Sequence, residues 1–232
     1  MVWLEETDST NLRLLELAKA GASIGESIAA KRQTCGRGRG ENSFHSPEGG
    51  LYFSVLIPRD MPAGTLPPTP RAAIAVRRVL AAYGCETQIK WVNDIYKEGK
   101  KVCGILAQSV PGRELAVIGI GINRIPVALP PDIADSVGFC FGEGTAPSRE
   151  ALAERIRTEL LAVLAEADNR SLWQEYTAYC LLVGRHITYT AENRAFGAYC
   201  TGISPDGKLA VLWPDGTEGF LSHGVVHIRP TA

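Results

Sequence analysis

Residues 88 to 123 limit the fold more than any other part of the chain. They alternate strand-like runs with connections too short to hold a helix. Residues 88–92 (Gln-Ile-Lys-Trp-Val) read as a short strand, Lys97-Glu98-Gly99-Lys100 as a turn, and residues 101–108 as the return strand. Val110-Pro111-Gly112-Arg113 is a second turn, and residues 115–122 are a very apolar strand ending at Asn123. Short turns join antiparallel neighbours, because a parallel return needs a crossover of about a dozen residues or more. The middle of the chain is therefore an antiparallel meander. Helical patterns precede and follow it, so the class is α+β.

Asp8-Ser9-Thr10-Asn11 leads into a helical pattern through Leu12, Leu15 and Ala18, stopped by Gly21. A strand over residues 26–31 follows, then another over 51–57 with Leu51, Phe53, Val55 and Ile57 on one face. Thr69-Pro70 opens a helix that runs to Tyr83, with Gly84 just past its end. Residues 126–147 are rich in proline and glycine and read as a long loop over the sheet. Ser148 caps the longest helix, whose stripe is Leu152, Ile156, Leu160, Val163 and Leu164, and residues 171–180 form another. From Gly184 the texture changes to short strands, at 186–190, 197–203, 208–213, 220–222 and 225–228, separated by two Pro-Asp-Gly turns. The expected organisation is a main domain over residues 1–180 and a small β-barrel over 181–232. The barrel is too small to be very stable without docking.

The formal net charge of -1 over 232 residues gives no global basic field for nucleic acid. No apolar run approaches the roughly 18 residues that span a membrane. The six cysteines include no Cys-x-x-Cys pair, and the start of the chain has no basic segment or apolar signal core. Reduced, mostly buried thiols in the cytoplasm are expected. His223 and His227 share a strand face, but two ligands without a third do not make a metal site.

Against this neutral background stands Gln33-Thr34-Cys35-Gly36-Arg37-Gly38-Arg39-Gly40. Glycines let a backbone approach a ligand closely, and each arginine adds a permanent planar cation suited to carboxylate or phosphate. The stretch reads either as a basic hairpin tip or as a loop for a small anion. No Gly-Lys-Ser/Thr follows, so it is not the phosphate-loop motif. Ser9 and Thr10 read as helix caps or as hydroxyls facing a ligand. Asp94 reads as a turn residue or as an acid placed for chemistry. Gly104 and Gly119 read as strand bulges or as thin pocket wall.

Taken together, these blocks resemble the catalytic region of biotin protein ligases. The resemblance rests on Asp8-Ser9-Thr10-Asn11, on Gln33 with Gly36-Arg37-Gly38-Arg39, and on Ser46-Pro47 with residues 49–54 (Gly-Gly-Leu-Tyr-Phe-Ser). It continues through residues 90–94 (Lys-Trp-Val-Asn-Asp), 101–106 (Lys-Val-Cys-Gly-Ile-Leu) and 119–123 (Gly-Ile-Gly-Ile-Asn), in order and in register. Three positions depart from it. Residues 41–44 (Glu-Asn-Ser-Phe) stand where the family often has Gly-Arg-x-Trp, Val92 where proline is common, and Gln108 where an acidic residue is frequent.

The resemblance implies a mixed, largely antiparallel sheet flanked by helices, of the class II aminoacyl-tRNA synthetase-like or biotin–lipoate ligase kind, with a small SH3-like C-terminal β-barrel. It implies an enzyme that makes biotinyl-5'-AMP from biotin and ATP, with Mg2+ bound alongside ATP. The enzyme then modifies a lysine of a biotin carboxyl carrier protein or carrier domain of a biotin-dependent carboxylase. Lys101, Arg37, Arg39 and Asp94 take the catalytic roles. Ser9, Thr10, Asn11, Gln33, Gly36, Gly38, Trp91, Asn93, Gly104, Gly119 and Asn123 join the arginines and Lys101 in binding the substrates, and no residue is assigned as a metal ligand. The family's N-terminal helix-turn-helix is not expected here, so neither DNA nor a membrane is an expected partner; a homodimer is allowed. A lipoate protein ligase and a non-catalytic vitamin- or nucleic-acid-binding module are the competing expectations.

Overall fold

A computed structural model describes residues 1–40, 42–191 and 194–228. Glu41, in the stretch that departs from the family pattern, lies outside them. A seven-stranded sheet has the order β1-β2-β3-β7-β6-β5-β4. Its strands are β1 (Val2–Thr7), β2 (Ser27–Gln33), β3 (Leu51–Pro58), β4 (Gln88–Lys90), β5 (Asp94–Lys97), β6 (Lys100–Ser109) and β7 (Leu115–Ile122). Every pairing is antiparallel except β1 with β2, so the sheet is mixed and largely antiparallel. The meander expected from residue 88 onward is present, with β5 as a strand added between the expected first and second. β1 was missed in the sequence reading: Val2-Trp3-Leu4-Glu5-Glu6-Thr7 has only weak alternation, and its place comes from pairing with β2.

The sheet is covered on both faces, which is why β3 is buried along nearly its whole length. One face carries α2 (Pro68–Ala82), α4 (Arg149–Ala165) and α5 (Asn169–Tyr179). Phe53, Val55, Ile105, Ile118 and Ile120 point into this large core with Ile74 and Leu160. The other face carries α1 (Thr10–Lys19), which seats Leu14 and Ala18 on Ile28, Leu56 and Val117. α1 covers only part of that face, and the rest is open to the cavity described below.

Ser148 accepts from the Ala151 amide and caps α4 as its sequence predicts. Arg71 is 2% exposed and hydrogen-bonds the carbonyls of Leu66, Val163 and Glu166, tying α2 to the C-terminal end of α4. Within the expected loop 126–147 lies one short helix, α3 (Pro131–Ala134). Five further strands, β8 (His186–Ala191), β9 (Arg194–Ile203), β10 (Leu209–Leu212), β11 (Glu218–Leu221) and β12 (Val225–Ile228), form an antiparallel sheet in the order β11-β10-β9-β8-β12. Its inner residues Ile187, Cys200, Leu209 and Val211 are continuous with the large core. Among the described residues no helix is long and apolar enough to cross a membrane. All six cysteines are free, and only Cys35 is exposed.

Candidate functional site

The open part of the sheet is lined by glycine. On β7, Gly119 and Gly121 alternate with the core residues Ile118, Ile120 and Ile122, and Gly104 on β6 lies opposite Gly121. A side chain at any of them would collide. A Cβ on Gly121 would lie 2.6 Å from the Phe44 ring, and one on Gly104 2.9 Å from the same ring. A Cβ on Gly119 would fall onto the Asn11 carboxamide. The glycines were expected to bring the wall close to a ligand; the nearest neighbours they accommodate here are Phe44 and Asn11.

Lys101 reaches this face through a bulge. Ile95 pairs with Cys103, but the next residue, Tyr96, pairs with Lys101, so Val102 is extra. Without it, Lys101 would share the core face with Cys103 and Ile105, because strand residues two apart point the same way. With it, Lys101 shares the cavity with Gly104 while its neighbour Lys100 is exposed. The Lys101 backbone is clamped by the 126–147 segment: its amide donates to Ser136 O at 2.9 Å, and the Gly138 amide donates to its carbonyl at 2.8 Å.

The cavity has a volume of about 350 Å³. It is lined by the hydroxyl and amide side chains of Ser9, Thr10, Asn11 and Gln33 and by Arg37, Arg39, Asn93, Asp94 and Lys101. Ser9 occupies the N-cap position of α1, yet its side chain makes no capping bond; Asp8 braces that helix start instead, accepting from the Ser9 amide and from Arg13. The Arg13 guanidinium holds the Asp8 carboxyl below its ordinary range. Thr10 and Gln33 are joined by the Thr10 amide, which donates to Gln33 Oε1 at 2.8 Å. Asn93 donates to Ile105 O at 2.7 Å, holding the start of β5 against β6.

Asp94 is the only carboxylate among the described residues lining the cavity, against three cations. It forms an ion pair with Lys101 at 2.7 Å. Lys90, opposite Asp94 on β4, extends the cationic cluster and was missed as a functional candidate. Burial pushes its ammonium down, Asp94 opposes this, and Lys101 and Arg39 push it down further. The arginine loop closes as a small hairpin in which Arg37 bridges Ser43 and the Gly38 amide donates to Asn42 O at 2.7 Å. Of its glycines, Gly40 takes a positive φ of 61°. Arg39 donates to Gly224 O, at 2.8 Å, in the turn between β11 and β12.

A second cavity of about 210 Å³ adjoins the first and shares Ser43, Phe44, Tyr52 and Lys101 with it. Its far wall is apolar, from Ile125, Val127, Leu129, Ile133, Val137 and Phe139. Asn123 lines this second cavity, not the first, and donates to Lys101 O at 3.1 Å. Two expected binding residues stand apart from both. Trp91 is buried in the core, and its Nε1 donates to Gly207 O at 2.9 Å, stapling the two sheets together. Gly36 lies behind the loop, packed on Phe44 O and Ser46 Oγ. Phe44 itself supplies an aromatic at the hinge between the cavities, with the Lys101 ammonium 5.8 Å from its ring. Tyr52 and Ser54 were also missed. Their signal was the period of β3, since both alternate with the core residues Leu51, Phe53 and Val55 and must face the other side.

The fold and the first cavity, with hydroxyl and amide side chains and three cations in its wall, suit a ligand that carries an anionic group. The chain belongs to the biotin/lipoate A/B protein ligase family, whose sequence model matches residues 3–123. It is 31% identical to the bifunctional ligase/repressor BirA of Bacillus subtilis, over 96% of this chain and 72% of that protein. It is 30% identical to the biotin–[acetyl-CoA-carboxylase] ligase of Mycobacterium tuberculosis, over 97% of this chain and 87% of that one. The structure of the Aquifex aeolicus biotin protein ligase in complex with biotin and ATP superposes with a TM-score of 0.84, at 27% identity and 98% coverage of both chains.

Proposed function

We propose that this chain is an ATP-dependent ligase that activates biotin as biotinyl-5'-AMP and transfers the biotinyl group to a lysine of a biotin carboxyl carrier protein or carrier domain. The observation that carries this is the position of Lys101 on the wall common to two adjoining cavities, beside Asp94. Biotin occupies the first cavity, its ureido ring at Ser9, Thr10 and Gln33 and its carboxylate toward Lys101. The nucleoside of ATP occupies the second, against the apolar 125–139 wall, with Asn123 beside it.

In the first step a biotin carboxylate oxygen bonds to the α-phosphorus and the bond to the leaving pyrophosphate breaks. Both reactants are anions, and Lys101, Arg37 and Arg39 offset their repulsion and the charge that develops. Asn93 holds the β5 end of this group in place. In the second step the lysine amine bonds to the acyl carbon and AMP leaves with the electron pair of the broken C–O bond. Asp94 orients the amine and accepts its proton. Magnesium enters with ATP as part of that substrate. Bound there, it would take most of its ligands from phosphate oxygens and water, as is usual for this ion.

In this scheme residues 1–180 do the chemistry, and the small domain over 181–232 steadies Arg39. A cytoplasmic setting goes with free thiols and with ATP as substrate. The test is intact mass of a carrier domain after incubation with the protein, ATP and biotin, and in parallel with lipoate. A carrier that gains biotin supports the proposal. One that gains only lipoate makes this a lipoate ligase, and one that gains neither removes the reaction.

A further inference from the structure

Behind Thr10 runs a chain of side-chain hydrogen bonds whose protons can be counted. Gln33 meets the Thr10 amide at 2.8 Å; that amide is a donor, so the Gln33 atom facing it is oxygen. Asn11 meets the Leu106 backbone carbonyl at 3.4 Å, a fixed acceptor, so the Asn11 atom on that side is its NH2 group, and Gln108, 2.8 Å away, then faces it with Oε1. Asn11 Oδ1 is then left on the other side as a pure acceptor, 2.6 Å from Ser54 Oγ. Ser54 is 0% exposed and has one proton to give, which goes to Asn11. Ser54 Oγ also lies 2.8 Å from Thr10 Oγ1. Two hydroxyl oxygens at that distance need a proton between them, and only Thr10 can supply it. The other acceptor near Thr10 Oγ1 is Gln33 Oε1, at 3.2 Å, already occupied by the Thr10 amide. In either arrangement the Thr10 proton stays in the wall, and Thr10 Oγ1 turns only lone pairs toward the cavity.

We propose that Gln108, Asn11 and Ser54 are positioning residues that fix Thr10 as a hydrogen-bond acceptor. The cavity thereby selects an acid whose distal ring presents an N–H, such as a cyclic urea, over one whose ring presents sulfur or oxygen there. The proposal rests on the cavity being the biotin site. Gln108 stands where the resembled family often has an acid, and it supplies the same acceptor to Asn11 without placing a charge beside a buried amide. Gly119 belongs to the same device, because only a glycine leaves room for the Asn11 carboxamide above β7.

The discriminating probes are the two biotin analogues in which one ureido N–H is replaced by a ring oxygen, giving cyclic carbamates. One of them sets an oxygen lone pair against Thr10. With the wild-type protein and ATP, without carrier, pyrophosphate release should show a kcat/KM for that carbamate about a hundredfold or more below that for biotin. In Ser54→Ala the Thr10 proton loses its nearer acceptor and keeps only the longer contact to Gln33 Oε1, so it turns more readily toward the ring oxygen and the biotin-to-carbamate ratio should narrow by about tenfold. Gln108→Leu should narrow it as well, since the Asn11 amide loses its anchor, and it tests the relay from its half-buried end should Ser54→Ala fold poorly. Gln108→Glu keeps the acceptor and should keep the wild-type ratio, with kcat for biotin within a few-fold in each variant. Melting curves establish that each variant is folded. An unchanged ratio in folded Ser54→Ala and Gln108→Leu overturns the relay while leaving the ligase intact. Wild type that uses both carbamates as readily as biotin overturns it too. Wild type that releases no pyrophosphate with biotin overturns the site assignment beneath it.

Discussion

Lys101 Nζ lies 2.7 Å from Asp94 Oδ1, which pairs the one lysine with the one carboxylate among the described residues of the cavity. The two come from strands paired through a bulge. In the proposed reaction Lys101 exchanges Asp94 for the arriving carboxylate and phosphate, and Asp94 is left to meet the incoming amine. Lys101→Ala should slow adenylate formation by on the order of a hundredfold or more, as for loss of one preorganised donor. Asp94→Asn should leave that step within a few-fold and slow transfer to the carrier instead. Lys100→Ala, on an exposed side chain, should be close to silent. Single-turnover pyrophosphate release without carrier isolates the first step, and carrier mass against time isolates the second. A silent Lys101→Ala beside a defective Lys100→Ala would reverse the strand register assigned here.

Gly119 offers a second handle. Its Cβ would sit on the Asn11 carboxamide, which is bonded to Ser54 and Gln108 and cannot step aside. Gly119→Ala should therefore destabilise the protein by about 1–3 kcal/mol, the usual cost of overpacking, and weaken biotin binding. Gly121→Ala meets the Phe44 ring, which can tilt toward either cavity, so its effect on stability should be smaller. Thermal melting with and without biotin reads both. Equal losses in the two variants would mean that Asn11 is not held as described.

Most of the strand and helix plan was legible because its residues carry local signals. The short turns at 97–100 and 110–113 dictate the antiparallel meander, and Ser148 caps α4 as its type predicts. What escaped was set by partners distant in sequence. β1 is an edge strand placed by β2, and Lys101 reaches the cavity through a bulge that no residue of β6 advertises. Trp91 reads from the sequence as core or as pocket wall, the latter because it sits among residues that resemble a binding block, and the structure puts it in the core. Its burial is decided by the second sheet, more than a hundred residues later, where Gly207 O accepts from it. Tyr52 and Ser54 could have been found, since a strand with one apolar face for the core must present its other residues to something else.

Away from the cavity, Glu175 on α5 ties that helix to α2. It accepts from Arg77 at 2.9 Å and from Arg78 at 2.7 Å, with its side chain only 18% exposed. Burial pushes its carboxyl up, but the hydrogen bonds from Arg78 and Arg77 outweigh burial and leave it below its ordinary value of 4.5. A carboxyl lowered on folding contributes stability above its unfolded value and loses it as the pH falls through its folded value. Glu175→Gln should thus destabilise the protein by about 2 kcal/mol at pH 7, less than for a fully buried pair because Arg78 is partly solvated. The difference from wild type should shrink as the pH is lowered from 4.5. Urea unfolding at pH 7 and at pH 3 checks this; a gap that grows in acid would mean that the pair does not hold Glu175 ionised.

The arginine hairpin carries the last expectation. It is closed by few backbone bonds, Gly38 to Asn42 O at 2.7 Å, Asn42 to Arg39 O at 3.2 Å and Phe44 to Gly36 O at 2.9 Å. Its glycines carry a large conformational entropy to lose on ordering. Its link to the turn between β11 and β12 is one charge-assisted bond, Arg39 to Gly224 O. Such a segment opens at low free-energy cost, so amides 36–40 should exchange rapidly in the free protein and become protected when biotin and ATP are added together. Arg39→Ala removes the bond to Gly224 and one of the three cations at once. It should raise exchange in the free protein and blunt the protection on adding substrates, while melting shifts little because Arg39 is not buried. Hydrogen exchange read by mass spectrometry on the peptide spanning these residues separates the outcomes. Strong protection that is the same with and without substrates would mean that the hairpin is preformed and that its glycines serve packing alone.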